Sequence, residues 1–431
     1  MIYKKLCDLV RFISNKNTDE RATILYGINI DKFFMPSVAN TIGVDLKKYK
    51  VVDKYQFACN RMHVGRDKRL PISMSTYDYP FIVSPAYDVF EVIDTNVVIP
   101  EYLMLWFRRG EFDRQCWFYT DADVRGGLSL NALKEIEIEI PSIEKQREIV
   151  AQYQAVENKI KVNEQICEKL EATAQALYKQ WFVDFEFPVS DIEALEVPDD
   201  VASTSLSHQS KESVAERSLG YKSSGGTMVY NQELEKEIPE CWEVKSLGEY
   251  IESFSKLHDF KKQKLIFFNT SDILNGEFLH SDYMNTSDMP GQAKKSIKKD
   301  DILYSEIRPN NKRFALVRHD VNDYVVSTKL MVLRRLNDEL GLYRLYYYLI
   351  NDDTIKDFQD SAEGRSGTFP QITFDEDIRF RKIIKATKNI EREIDKIFSI
   401  YYHKVYNLKD QNISLNKLQS LLLSRLARLE G

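Results

Sequence analysis

Residues 142–188 read SIEKQREIVAQYQAVENKIKVNEQICEKLEATAQALYKQWFVDFEFP. Within them Ile149, Tyr153, Val156, Ile160, Asn163, Cys167, Leu170, Ala174, Leu177 and Trp181 recur alternately four and three apart. That spacing is the a/d seam of a coiled coil. Ser142 is placed to cap the helix, with Glu144 in its first turn, and Pro188 is the expected stop. At 1.5 Å per residue such a rod is roughly 60 Å long. It has no core of its own, so its apolar stripe needs a partner helix.

The end of the chain offers one. Ile390, Ile394, Ile397, Tyr401, Lys404, Leu408, Gln411, Leu415, Leu418, Leu422, Arg425 and Leu429 repeat the same spacing. Two rods of matched length predict an internal pair, although heptads alone also allow each rod to pack on its own neighbour or on another subunit. Asn163 and Gln411, polar residues on apolar seams, are positioned to fix register.

The remaining sequence divides around these rods. Residues 1–141 form a mixed globular head. QFACNRMHVGRDKRLPISM reads as strand, basic turn, strand; FIVSPAYDVFEVI as strand; YLMLWF as a short helix; EIEIEIP as a strand with one buried face. Residues 188–237 are rich in Ser, Glu, Asp and Gly and are expected to be a flexible linker. A second head follows at 238–385 and the second rod at 386–431.

The second head repeats the first. Ile82-Val83-Ser84 matches Val325-Val326-Ser327, Ile136 and Ile138 match Ile378 and Phe380, and Arg125-Gly126-Gly127 matches Arg365-Ser366-Gly367. One module of head plus rod therefore occurs twice. The expected fold is α+β: two similar mixed α/β heads joined by two long helices in an antiparallel coiled coil, with pseudo-twofold symmetry. Such a molecule suits the reading of two short marks separated by an ignored span.

Composition bounds the chemistry. The chain has 431 residues, 43% hydrophobic and 29% charged, as a globular protein does. A net charge of −6 argues mildly against nucleic acid when averaged, so local clusters matter more. Arg61, Arg66, Lys68 and Arg69 crowd one turn of the first head. Lys294, Lys295, Lys298 and Lys299, then Arg308, Lys312 and Arg313, do so in the second. Such cations release counterions from phosphates. Base choice needs forked donors and amides, which singles out Asn60, Arg61, Asn310, Asn311 and Arg365. Arg125 and Arg365 each open an R-x-G turn, where glycine lets backbone approach a phosphate with the arginine outward, a pattern that a tight turn with an incidental arginine explains equally well. Taken one at a time, each is more simply a solvated surface group; it is their clustering in corresponding loops that favours DNA.

Signs of catalysis are poor. There is no phosphate-binding glycine loop, no dinucleotide fingerprint and no tetrapeptide beginning Asn-Pro-Pro or Asp-Pro-Pro. Pro198-Asp199 with Glu243-Val244-Lys245 spells a nuclease motif, but its first half sits in the linker. The five cysteines are scattered and form no CxxC pair, so neither zinc nor a disulfide framework is expected, and a reducing cytoplasm fits. No metal, no cofactor and no membrane span are expected.

ALYKQWFVDFEFP, followed by YKSSGGTMVYNQELEKEIPECWEVKSLGE, resembles the central conserved region of type I restriction–modification specificity subunits. PSIEKQREIV resembles the junction into that family's first conserved helix, and QFACNRMHVGRDKRLPISM and DILYSEIRPNNKRFALV resemble cores of its two target recognition domains. The second junction, KATKNIEREI, departs from the pattern by lacking the Pro and the Gln. The resemblance implies a non-catalytic DNA-reading subunit, each head binding one half of an interrupted double-stranded target. It implies as partners two methyltransferase subunits, docked on the conserved helices, and restriction–translocation subunits. Tyr178, Trp181 and Phe182, at the aromatic end of the first rod, are offered as a docking surface for a methyltransferase subunit, against the simpler reading as core. Two other functions remain open on residues alone: a self-contained nuclease or methyltransferase, and a coiled-coil scaffold between proteins.

Overall fold

The computed structural model describes residues 2–37, 43–120, 126–188 and 220–425. The chain forms two compact units, residues 1–164 with 409–431 and residues 165–408. Each holds one head and a stretch of both long helices.

In the first unit, strands Ile2–Lys5 and Glu137–Ile140 pair antiparallel and bring the ends of the head together. A four-stranded sheet runs in the order Val10–Ile13, Asp88–Val92, Phe57–Cys59, Ile72–Met74. FIVSPAYDVFEVI thus makes two strands, not one. A turn at Ser84, whose carbonyl accepts from Tyr87 N–H at 3.0 Å, sends Phe81–Val83 to pair with Lys50–Val52 instead. Helix Pro100–Phe107 starts on its proline, whose missing N–H costs nothing there, and is buried on nearly every side. Its Phe107 meets Phe57, Phe90 and Phe112 in the core.

The second unit repeats the central part of this plan and enlarges the rest, Lys264–Phe268 and Tyr324–Ser327 lying in a second four-stranded sheet where the first head has two-stranded pairs. Glu243–Ser246 pairs with Lys382–Lys385, and the sheet order is Ile251–Ser253, Leu330–Arg335, Ile302–Ser305, Phe314–Leu316. Helices Leu342–Leu349 and Asp352–Arg365 stand where Pro100–Phe107 and Gly110–Phe118 stand in the first. Val325-Val326-Ser327 lies in the strand equivalent to Ile82, as the sequence suggested. Two other matches need correction. Ile378 closes a helical turn, Phe374–Ile378, and Phe380 is exposed; the strand equivalent to Glu137–Ile140 is Lys382–Lys385. Leu128 N–H bonds to Arg61 O as Ile372 N–H bonds to Glu306 O, so the counterpart of Gly126-Gly127 is Pro370-Gln371, not Ser366-Gly367. The longer helix Asp352–Arg365 displaces the register.

The long helices span Ile143–Phe182 and Lys388–Arg425. Ser142 Oγ accepts from Lys145 N–H at 3.4 Å, as a cap should. The pairing is antiparallel in each unit. In the first, Asn163 is buried and its amide donates to Gln411 Oε1 and Asn412 Oδ1, both at 2.8 Å, while Ile149 and Leu423 join one core. In the second, Cys167, Leu170, Val405 and Leu408 pack together, and Ala174 and Leu177 share a core with Ile394, Ile397 and Phe398. Val156, Ile160, Leu415 and Leu422 are half-buried. The second seam drifts from strict heptads: Lys404, Gln411 and Leu418 are exposed. Up to Leu408 the buried positions Phe398, Tyr402, Val405 and Tyr406 make a face wider than a strict seam, as packing on the second head needs.

The first helix ends at Phe182, before Pro188, because the chain turns back on its own aromatics. Phe185 takes φ +59°, and Phe187 stacks on Tyr221 and Trp242 at 4.6 and 4.9 Å. Tyr178, Trp181 and Phe182 are buried in this cluster, so they are core and not a free docking surface. Of the expected linker, residues 189–219 lie outside the described residues. Residues 220–237 are folded, Gly220 bridging Pro188 and Met228–Asn231 pairing with Lys236–Pro239. The second head therefore begins before residue 238.

Candidate nucleic-acid interface

In each head, the loop joining the last two strands of the four-stranded sheet carries the cationic cluster. In the first head it runs from Asn60 to Pro71, between Phe57–Cys59 and Ile72–Met74. In the second it runs from Glu306 to Arg313, between Ile302–Ser305 and Phe314–Leu316. Both loops rest on the second short helix of their head. Leu70 N–H donates to Asp113 Oδ1 at 3.1 Å, and Asn310 N–H donates to Gln359 Oε1 at 3.1 Å. Both are also pinned to the turn beyond that helix, by Gly65 N–H to Gly126 O at 2.7 Å and Arg308 N–H to Pro370 O at 3.1 Å.

The first loop is braced from inside by Arg61. Its guanidinium bonds Asp88 Oδ2 and Leu128 O, both at 2.5 Å, which leaves little of it for a ligand. Asn60 Oδ1 accepts from Met62 N–H at 3.2 Å and shapes the turn. Arg66, Lys68 and Arg69 are exposed. Arg66 pairs with its neighbour Asp67, which holds its guanidinium above the usual arginine range through the hydrogen bond between them. Arg69 pairs with Asp31 at 2.9 Å, and Lys68 lies 5.0 Å from the Trp117 ring centroid. These are surface pairs worth little in water, so a phosphate can replace the carboxylates at small cost. Arg125 lies outside the described residues.

An open cleft of about 580 Å³ continues from this loop, with Lys68, Arg69, Arg108 and Arg114 on its walls. Arg108 and Arg114 lie outside the clusters singled out in the sequence: Arg108 ends the apolar helix in the pair Arg108-Arg109, and Arg114 stands between Asp113 and Gln115. Lys32, also there, is buried against Asp113 Oδ1 at 2.8 Å, and desolvation pushes its ammonium below the usual lysine range.

In the second head Arg308 and Lys312 both take positive φ, which turns the loop outward. Arg308, Asn310, Asn311 and Lys312 are exposed, and among the described residues no ion pair engages Arg308. Lys312 reaches Asp352 at 2.9 Å. Arg313 turns inward, its guanidinium capping the carbonyls of Ser271 and Ile273. Arg365 is likewise spent, on Glu376 and Asp377. Of the lysine cluster, Lys294, Lys298 and Lys299 are exposed. Lys295 is a correction: it is buried, donates to Leu330 O at 2.9 Å, and has its pKa lowered by desolvation.

The exposed groups are donors and cations fixed on a rigid frame, suited to a polyanion. Among the described residues no group of three or more His, Cys, Asp or Glu is arranged to hold a metal, and no helix is long and apolar enough to cross a membrane.

Comparison with known proteins agrees with this frame. The sequence matches the type I restriction modification DNA specificity domain over residues 5–172 and again over 239–417, which is the internal repeat. It is 49% identical over 135 residues to the type I restriction enzyme HindI specificity subunit of Haemophilus influenzae, spanning 31% of this chain and 29% of that protein. It is 27% identical over 355 residues to the MjaIX specificity subunit of Methanocaldococcus jannaschii, spanning 78% and 70%. In fold it resembles the crystal structure of the type I restriction–modification S subunit from M. genitalium, with TM-score 0.55 at 12% identity over 99% of this chain and 95% of that one.

Proposed function

Because the chain belongs to the type I restriction–modification DNA specificity family, we propose that it is a non-catalytic subunit whose two heads each read one half of an interrupted duplex target. The observation that carries this reading is the placing of exposed cations and amides on equivalent loops, 60–71 and 306–313, of two heads whose central sheets share one strand order. Arg66, Lys68, Arg69, Arg308 and Lys312, with Lys294, Lys298 and Lys299, bind backbone phosphate. Arg308, Asn310 and Asn311 present the donors and acceptors that distinguish base edges in the major groove. The long helices set the length of the unread interval and dock two methyltransferase subunits, to which restriction–translocation subunits add. The catalytic chemistry belongs to those partners.

Methylation mapping of the source genome, with this gene intact and deleted, tests the reading. A two-part motif with a constant gap is expected to lose its methylation on deletion. An unchanged methylation pattern overturns the proposal. Insertion of one heptad into both long helices is expected to lengthen the gap and leave both half-sites as they were.

A further inference from the structure

We propose that Trp117, Phe118 and Tyr119 form an apolar contact of the first head with duplex DNA, packing on base edges beside loop 60–71; the inference rests on the DNA reading above. Helix Gly110–Phe118 turns Phe112, Asp113 and Cys116 inward, which uses up its buried face. The three aromatics that follow are left outside, Trp117 at 45%, Phe118 at 80% and Tyr119 at 51% exposure. The packing of the head gives no reason for such a patch.

Its surroundings name the occupant. Lys68 stands over the Trp117 ring, and Arg66 and Arg69 flank it on the same loop. Two glycines make this closeness possible. A Cβ on Gly65 would lie 2.7 Å from the Gly126 Cα, so backbone meets backbone where the loop joins the turn beyond the aromatics. Protein interfaces are poor in lysine, whereas an apolar patch rimmed by cations suits the base edges and phosphates of a duplex groove. A phenyl ring at the floor of a major groove packs on the thymine methyl, which hydrogen-bonding groups cannot read.

The patch is not part of the scaffold. Eight residues after its helix N-cap the first head has Trp117, whereas the second has Gln359, which supports the loop through Asn310. Beside loop 306–313 the second head exposes Phe369, next to the Pro370 that holds Arg308, rather than a run of three rings; heads that read different half-sites call for such a difference.

Trp117 reports on its own contact, since Trp106, Trp181 and Trp242 are buried. The full chain is titrated with a duplex carrying the motif returned by methylation mapping, and with a scrambled duplex, while acrylamide quenching of tryptophan emission is followed. The motif duplex is expected to protect Trp117. Phe118→Ala is expected to weaken its binding about ten-fold with an unchanged thermal midpoint. Replacing thymine by uracil in the duplex should weaken the native chain and leave Phe118→Ala nearly unaffected. Tight motif binding by Phe118→Ala, with Trp117 still open to quencher in the native complex, overturns the aromatic contact and leaves the DNA reading standing. Binding of no duplex by the native chain, alone or assembled with methyltransferase subunits, overturns both. Protection of Trp117 by those subunits without DNA assigns the patch to protein docking and overturns the inference.

Discussion

Arg344 occupies in the second unit the place that Tyr102 occupies in the first. Tyr102 Oη donates to the carbonyl of Glu139 at 3.1 Å, and Arg344 Nη2 donates to the carbonyl of Ile384 at 2.6 Å. Both carbonyls belong to the third residue of the terminal strand, Glu137–Ile140 and Lys382–Lys385. Beside them the long helices place Gln146 and Glu391. Gln146 donates to Pro141 O and Val97 O and accepts from Ile99 N–H, while Glu391 accepts from Ala386 N–H at 2.9 Å. The loss of Pro and Gln at the second junction is therefore one coupled exchange. Proline offers only a carbonyl, which an amide can satisfy; alanine offers an N–H, which a carboxylate can satisfy. The carboxylate then needs a cation, and fully buried Arg344 supplies it, with Nε 3.5 Å from Glu391 Oε2 and its guanidinium 4.1 Å from the Phe182 ring.

Arg344→Ala should accordingly be severe, about 3–5 kcal/mol in denaturant unfolding, because it strands a buried carboxylate. Arg344→Tyr combined with Glu391→Gln imports the neutral pair of the first unit. The double variant is expected to be more stable than either single one. Simple additivity of the two losses would mean that the sites are not coupled.

The same carboxyl predicts a pH dependence. Burial holds Glu391 above the usual glutamate range, and Asp395, which caps helix Leu342–Leu349 through Tyr343 N–H and Arg344 N–H, is raised for the same reason. A raised carboxyl takes up its proton in the folded chain before the unfolded one does. Its contribution to stability is thus present at low pH and is lost as pH rises through the folded value. Glu391→Gln removes one such group, together with the repulsion between it and Asp395 that helps to raise it. Thermal midpoints taken at pH 5 and pH 8 should show the native chain gaining on Glu391→Gln at the lower pH. A difference that grows at pH 8 instead would contradict the assignment.

Periodicity made the helices and the repeat legible, since a four-three seam and a repeated string of strands survive in sequence. The sites were less legible, because charge clusters do not say which cations are already spent. Lys295 could not have been excluded: a bulge between Ala293 and Lys295 breaks the period of two and turns the lysine to the Val326 face, where its ammonium meets Leu330 O. Nor could Arg365, since Glu376 and Asp377 approach it only through the fold. The aromatic end of the first rod was equally silent. Trp181 and Phe182 could have faced a partner, and only the return of Tyr221 and Trp242 closes them off. Register failed where the helices of the two heads differ in length, so strands were matched three residues early.

Gly65 tests whether the loop is held by its contact with Gly126. Gly65→Ala places a methyl against backbone that cannot swing aside, an overpacking worth about 1–3 kcal/mol. The loop should lift, and duplex affinity should fall more than global stability does. Gly27→Ala is the control, because a Cβ there meets nothing within 4 Å. Equal loss of affinity in both variants would show that the Gly65 crossing has no special part in presenting Arg66, Lys68 and Arg69.

The lysine cluster separates affinity from folding. Lys298 and Lys299 are exposed, whereas Lys295 is buried with its ammonium on Leu330 O. Each phosphate-neutralising cation steepens the fall of log K with log salt by about 0.9. Lys298→Ala with Lys299→Ala should therefore flatten that slope by about 1.8, uniformly across target sequences, with little change in unfolding. Lys295→Ala should leave the slope of the folded chain unchanged. What it removes is a buried hydrogen bond, so its effect belongs in the denaturation curve. A slope that responds to Lys295→Ala and ignores the exposed pair would place the phosphate track on another face of the second head.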